Sequence, residues 1–184
     1  MKLKIYSILI IVASISGFGI NTAKAQYVPI SDIYFSTWLI NNYPNCMSGN
    51  YLDTSCTEII TEDFVGISGI NVYDITGIQY FDNLQQLTCI STALQFLPQL
   101  PNSITWLDCS LNQLNSITNF PASLQVLYLS GNNINCFPNF PQGLTQIDIS
   151  NNPATCLPNH IGAMDAAANA LPICAVGDLI NNPT

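Results

Sequence analysis

Two aspartates at equivalent positions of a repeat, Asp108 and Asp148, are the first candidates for chemistry in this chain. If they project from strands two places apart in one sheet, their separation is on the order of 10 Å, which is near the spacing of the carboxyl pair in an inverting glycosidase. That chemistry needs a pocket that raises the pKa of one carboxyl, and no further polar group converges on the pair. Two solvated carboxylates explain the residues without catalysis, so we expect that the protein is not an enzyme.

The only imidazole in the chain belongs to His160, so no Ser–His–Asp or Cys–His site can be built elsewhere. Cys156 and His160 have a spacing that could suit a metal, with Cys174 as a third ligand. Three such ligands without a second closely spaced cysteine pair make a weak site. We therefore expect a histidine near a disulfide, with no metal and no cofactor.

Residues 1–25 have the features of a secretory signal peptide. Lys2 and Lys4 precede the uncharged, apolar stretch Ile5–Phe18, and an Ala-Lys-Ala site stands before Gln26. Cleavage at that site would also remove Lys24, which is the third and last basic residue of the sequence. We expect export from the cell, with release, surface attachment and periplasmic retention all open.

The mature chain would contain no Lys and no Arg against 11 Asp and Glu residues. Binding to phosphates in nucleic acids rests on basic side chains, so nucleic acid, nucleotides and anionic lipid are excluded as partners. No second apolar stretch of 18 or more residues follows the signal, so no membrane span is expected after its removal. We expect a monomer.

Seven cysteines in an exported chain predict disulfides, and the odd number leaves at least one thiol outside them. Cys46 and Cys56 bracket a short loop, and we predict a local disulfide between them. Cys89 and Cys109 occupy an apolar column of the repeat, so we interpret them as buried thiols rather than as a disulfide.

A second disulfide has two possible arrangements. Cys136 and Cys156 share another column on adjacent units, so Cys156 can pair with Cys136 or with Cys174, but not with both. We favour Cys156–Cys174, because that bond would secure the end of the chain, and Cys136 is then the odd thiol.

The stretch that must position these residues repeats itself at a step of 20 residues. Its apolar columns are Leu84, Ile104, Leu124 and Leu144; Leu87, Leu107, Leu127 and Ile147; Cys89, Cys109, Leu129 and Ile149; and Leu94, Leu114, Ile134 and Ala154. A polar column contains Asn112, Asn132 and Asn152. A unit this short cannot bury its own apolar face, so neighbouring units must stack into a solenoid.

Each unit should contain one short strand whose second and third apolar residues point into the core. The asparagine column should turn the chain out of the strand and bond backbone groups of its own turn and of the next coil. Recurrent prolines favour extended, polyproline-like returns.

These units follow the pattern L-x-x-L-x-L-x-x-N-x-L, which is that of leucine-rich repeats. The 20-residue length and the Leu-Pro-x-Leu-Pro returns resemble the short bacterial class, as found in secreted proteins of Bacteroidetes-type bacteria. The resemblance implies a leucine-rich repeat solenoid with a short parallel β-sheet on its concave face, mostly irregular returns and helical caps at both ends. It also implies that the concave face binds a ligand.

Four regions follow from this interpretation. Residues 1–25 are the signal peptide, 26–61 an N-terminal helical cap, 62–160 about five repeats, and 161–184 a C-terminal cap helix and tail. In the first cap we predict a helix over Val28–Asn42 with Ser31 as its N-cap. In the second we predict a helix over Ile161–Leu171.

The candidate ligand-binding residues are the outward side chains of the predicted strands, namely Gln86, Trp106, Asp108, Val126, Tyr128, Gln146 and Asp148. Trp106 and Tyr128 would be neighbours, and exposed aromatic pairs anchor many interfaces. The same residues could also simply cover an exposed sheet, since strands favour aromatics.

The favoured function is a non-catalytic, secreted recognition module that binds an extracellular or cell-surface protein or glycan. One alternative is a structural spacer or adhesin segment in a larger surface assembly. The other is the acid-pair glycoside hydrolase considered above.

Overall fold

The computed structural model describes residues 26–164 and 170–175, so the predicted signal peptide lies outside the described residues. The N-terminal cap contains β1 (Tyr27–Pro29), α1 (Ile33–Asn42), a 3-10 turn (Pro44–Cys46), β2 (Met47–Ser48), β3 (Tyr51–Asp53) and α2 (Thr57–Thr61). The three strands form a small antiparallel sheet with β3 in the middle.

The predicted start of the first helix is wrong. Residues Tyr27–Pro29 are extended and pair with β3, and α1 begins only at Ile33. Asp32, rather than Ser31, is the N-cap. A strand that pairs with a neighbour has its backbone groups satisfied there, so the helix can form only after the chain leaves that sheet.

Asp32 also connects the cap to the first repeat. Its Oδ1 accepts the N–H groups of Tyr34 and Phe35 at 2.9 and 2.8 Å. Its Oδ2 accepts the N–H groups of Tyr73 and Asp74 at 2.8 and 3.2 Å. A carboxylate has two acceptor oxygens, and a serine hydroxyl could not serve both segments in this way.

A five-stranded parallel sheet runs through the repeats. Its strands are β4 (Phe64–Gly66), β5 (Gln86–Thr88), β6 (Trp106–Asp108), β7 (Val126–Tyr128) and β8 (Gln146–Asp148). Each strand pairs with the next in sequence, with the residues of one column opposite each other. This register agrees with the 20-residue step from β5 onward, so the leucine-rich repeat solenoid is confirmed as the fold.

The core consists of the predicted apolar columns. Leu87, Leu107 and Leu127 have no exposed surface, and Ile147 in the last strand is half-buried. The unit that precedes them departs from the 20-residue step but buries a matching set of apolar residues, namely Val65, Ile67, Val72, Ile75, Ile78 and Phe81. In the returns, Phe120 and Phe140 stack with their ring centroids 5.7 Å apart.

The asparagine side chains bond backbone groups of their own turn, as predicted, but their other bonds go to the preceding coil and not to the next one. We call this set of hydrogen bonds the asparagine ladder. Asn132 donates to the carbonyl of Leu129 in its own turn and to that of Cys109 in the coil before, both at 2.9 Å. Its Oδ1 accepts the N–H of Leu114 at 3.0 Å. Asn112 and Asn152 make equivalent bonds, so each side chain satisfies backbone groups of two coils.

A residue with left-handed backbone precedes Asn112, Asn132, Asn152 and also Thr92, which occupies the same position in the first of these units. Ser91, Leu111, Gly131 and Asn151 have φ values of 55°, 59°, 68° and 56°. Only glycine adopts this conformation without steric cost, and asparagine tolerates it better than most residues. The turn geometry is therefore the same in all four units, although only two of them have a favourable residue there.

The described C-terminal residues close the far end. Leu157 and Ile173 form a parallel bridge, in which Leu157 N–H donates to Pro172 and Cys174 N–H donates to Leu157. Residues 161–164 form a turn. Residues 165–169 of the predicted closing helix lie outside the described residues, so that helix and the domain bounds stay predictions.

His160 occupies the repeat position of Leu100, Phe120 and Phe140 but is not buried as they are. Its side chain is exposed, and its Nε2 lies 2.9 Å from the carbonyl oxygen of Leu171. An imidazole keeps a polar partner here at little desolvation cost.

Within the described ranges, no helix is both long and apolar enough to cross a membrane.

Candidate binding face

The predicted binding residues project from the sheet in two parallel rows. The first row is Phe64, Gln86, Trp106, Val126 and Gln146, and the second is Gly66, Thr88, Asp108, Tyr128 and Asp148. We call the surface of these two rows the outer sheet face. Side chains alternate along a strand, and the residue between the two rows points into the core, so all seven candidates lie on one side.

The centre of the outer sheet face is an aromatic pair. The rings of Trp106 and Tyr128 meet edge to face, with centroids 5.7 Å apart and planes at 82°. The hydroxyl of Tyr128 donates to Oε1 of Gln146 at 2.6 Å. Tyr128 thus reaches from β6 on one side to β8 on the other and is held at both ends.

Val126 lies directly between Trp106 and Gln146 in the first row. Although it is an outward residue, only 8% of it is exposed. The ring of Tyr128 spans these same two neighbours, so it covers the valine. Val126 therefore supports the aromatic pair from below and offers little surface of its own.

Asp108 and Asp148 stand opposite Tyr128 on either side. Oδ1 of Asp108 accepts the N–H of Ser110 at 3.0 Å, and Oδ1 of Asp148 accepts the N–H of Ser150 at 2.9 Å. Each carboxylate thereby holds the turn that follows its strand, as aspartate often does in an Asx-turn. This gives both residues a structural role in addition to any role in binding.

The pKa of Asp148 lies below its ordinary value. Partial burial acts to raise it, but hydrogen bonds from the hydroxyl and N–H of Ser150 and from the hydroxyl of Ser130 lower it and prevail. Hydrogen bonds to the charged form favour that form. The lowered pKa favours the ionised form of Asp148, whereas a general acid requires a raised pKa.

Sequence reasoning missed a third outward column, which contains Ser110, Ser130 and Ser150. The hydroxyls of Ser110 and Ser130 are 3.4 Å apart, and Ser130 and Ser150 contact Asp148. The 20-residue step was the available signal, because a serine follows the third core position in each of these units.

Phe64 marks one end of the outer sheet face. Half of its surface, 51%, is exposed. Its ring lies over Gly66, since a Cβ at that glycine would be 3.1 Å from Cζ of Phe64. Gln86 is exposed and Thr88 half-buried between Phe64 and the aromatic pair.

The structure forms the two predicted disulfides, Cys46–Cys56 and Cys156–Cys174.

Cys109 is fully buried, and its pKa is raised well above the ordinary value. The largest cause is a hydrogen bond with Cys89, and burial is the second. The thiols of Cys89 and Cys109 form no disulfide with each other, as the sequence predicted.

In the part of the chain that the structure describes, no three His, Cys, Asp or Glu residues are grouped to hold a metal ion.

The parallel sheet, the repeat step and the asparagine ladder define a leucine-rich repeat solenoid. Among solved structures, the chain is similar to the "Shigella effector LRR domain", at 24% identity and a TM-score of 0.51, over 58% of this chain and 48% of that one. It is also similar to "YopM from Yersinia enterocolitica WA-314", at 29% identity and a TM-score of 0.44, over 45% of this chain and 18% of that one.

The chain thus spans less than half the length of either structure. These likenesses concern the fold alone. No protein-family model and no curated protein sequence matches the chain.

Proposed function

We propose that the protein is a non-catalytic recognition module that binds a protein or a glycan through the outer sheet face. The observation that carries this proposal is the Trp106–Tyr128 pair, which is half-buried, supported by Val126 and bonded to Gln146. Aromatic side chains dominate the energy of many interfaces. A pair already fixed in place loses little conformational entropy when a ligand binds.

The proposed location is outside the cytoplasm, either secreted, at the cell surface or retained in the periplasm. The signal-like segment 1–25 supports it, and so do the Cys46–Cys56 and Cys156–Cys174 disulfides. Disulfides form and persist in oxidising compartments and are rare in the cytosol. A partner would then be an extracellular or surface molecule.

Acid-pair hydrolysis is the weaker alternative. The lowered pKa of Asp148 opposes the role of a general acid. Asp108 already holds the turn at Ser110, which explains its presence without catalysis.

The test is capture of ligands by the whole protein on an array of glycans and surface proteins. The variant Trp106→Ala/Tyr128→Ala should lose at least tenfold in affinity for any captured ligand, because it removes the central contact surface. Tyr34→Ala is the matched control, because Tyr34 is an exposed aromatic residue in the cap. Its bond to Asp32 comes from the backbone N–H, so the alanine variant keeps that bond.

Unchanged capture by the double variant would refute the outer sheet face as the binding site. If the unmodified protein shows no saturable capture at all, the spacer or adhesin-segment alternative is favoured instead.

A further inference from the structure

The charges around the aromatic pair indicate the chemistry of the partner. Asp108, Tyr128 and Asp148 are direct neighbours in the second row, so one carboxylate stands on each side of the tyrosine. The ring of Tyr128 extends toward Trp106 and Gln146 in the first row. It therefore does not fill the space between the two carboxylates, which are about 10 Å apart at the backbone, twice the strand spacing.

No Lys or Arg side chain of the segment that follows the predicted signal peptide is available to occupy that space. Residues 26–184 contain no Lys and no Arg. The single imidazole, on His160, lies at the end of the repeats, where it contacts the carbonyl of Leu171. Two carboxylates beside an aromatic pair attract cationic groups and repel anionic ones, and such complementarity selects partners.

We propose that the outer sheet face receives an arginine side chain presented by a protein partner, with its guanidinium between Asp108 and Asp148 and against the Tyr128–Trp106 pair. This rests on the proposed function above and narrows its ligand to a protein. A neutral glycan can donate hydroxyl hydrogen bonds to the two carboxylates but brings no positive charge to them, and a sialylated one is repelled by them.

The dimensions suit a guanidinium better than an ammonium. Charge-assisted hydrogen bonds of about 2.8 Å on two opposite edges of the planar group span roughly 7–8 Å between acceptor oxygens. Carboxylates on strands about 10 Å apart can meet that span by leaning inward. The planar cation also packs against aromatic rings, where the ring face is electron-rich.

The test begins with a randomised peptide library displayed against the whole protein. Selected peptides should be enriched in arginine. In a selected peptide, replacing that arginine with citrulline, which has the same shape without the charge, should weaken binding at least tenfold. Lysine in its place should retain part of the affinity, and binding should weaken as salt is raised.

Variants of the protein then locate the contact. Asp108→Asn and Asp148→Asn should each weaken the arginine peptide about tenfold, while an amide oxygen can still accept the serine N–H that each carboxylate holds. Asp82→Asn, which removes an exposed charge away from the outer sheet face, should change binding less than twofold.

Three outcomes would overturn the proposal. The first is a library selection that yields no peptide or yields peptides without enrichment in arginine. The others are a citrulline peptide that binds as tightly as the arginine peptide, and Asp82 and Asp108 variants that change the affinity equally. The proposed function survives those results if Trp106→Ala/Tyr128→Ala still abolishes capture of an uncharged protein or glycan. Both fail if that double variant captures every ligand as well as the unmodified protein.

Discussion

Tyr128 lies edge to face against Trp106 at 5.7 Å and donates its hydroxyl to Gln146 at 2.6 Å. These two contacts connect three adjacent strands on the side that faces away from the core. The tyrosine side chain bridges the three strands, and the position of its ring depends on the hydrogen bond as well as on the aromatic contact.

Removing only the hydroxyl should therefore loosen the binding face. We expect Tyr128→Phe to weaken ligand binding about fivefold, since a hydrogen bond of this kind contributes about 1 kcal/mol net. Gln146→Ala removes the same bond from the other side. In a double-mutant cycle measured by calorimetry the two effects should not add, and full additivity would show that the bond does not position the ring.

The asparagine ladder should be a main source of stability. Asn132→Ala leaves the N–H of Leu114 without its partner, while the carbonyls of Cys109 and Leu129 keep their bonds from Asn112 and Asn152. An unsatisfied buried group costs about 1–3 kcal/mol, so we expect a loss of that size in urea unfolding. Asn133→Ala, one residue on and exposed, should cost less than about 0.5 kcal/mol. Similar losses for both variants would contradict the ladder.

The left-handed turn position makes a separate prediction. Gly131 has φ 68°, and a Cβ there would lie 2.8 Å from Cδ2 of Leu111. Gly131→Ala should destabilise the fold by about 1–2 kcal/mol in thermal unfolding. Gly162→Ala should be near neutral, because a Cβ there meets nothing within 4 Å. In a Leu111→Ala background the destabilisation by Gly131→Ala should be smaller, because the contact with Cδ2 of Leu111 is removed. It should not be zero, because the left-handed backbone at position 131 remains.

Asp148 should titrate below the ordinary aspartate value of 3.8. A carboxyl with a depressed pKa in the folded state stabilises the fold above its unfolded pKa, and that contribution is lost as pH falls through the folded pKa. Carbon-detected NMR of the carboxyl measures this directly. Ser150→Ala should raise the pKa of Asp148, because it removes one of the bonds that lower it; a pKa at or above 3.8 in the unmodified protein would refute the assignment.

Much of the fold followed from one regularity in the sequence. Residues such as Leu87, Leu107 and Leu127 recur at a step of 20 residues, and a parallel sheet of stacked units puts equivalent residues side by side. From β5 onward the two outward rows, and hence the neighbours Trp106 and Tyr128, could be located from that step alone.

Other features depend on contacts that a periodic pattern does not contain. The role of Asp32 depends on a second segment 41 residues away in the chain, so local capping preferences could not identify it over Ser31. The burial of Val126 follows from the direction in which Tyr128 leans. A side-chain rotamer of this kind is decided by neighbours across the sheet rather than by spacing.

The indole N–H signals of the two tryptophans, Trp38 and Trp106, test the central claim most directly. Trp38 belongs to the cap, in α1, and Trp106 to the outer sheet face, so one spectrum contains both the site and its internal control. On titration with a captured ligand, the Trp106 signal should shift to saturation with the binding isotherm while that of Trp38 stays in place. A saturated complex in which Trp106 does not shift, or in which Trp38 alone shifts, would show that the outer sheet face is not where this protein binds.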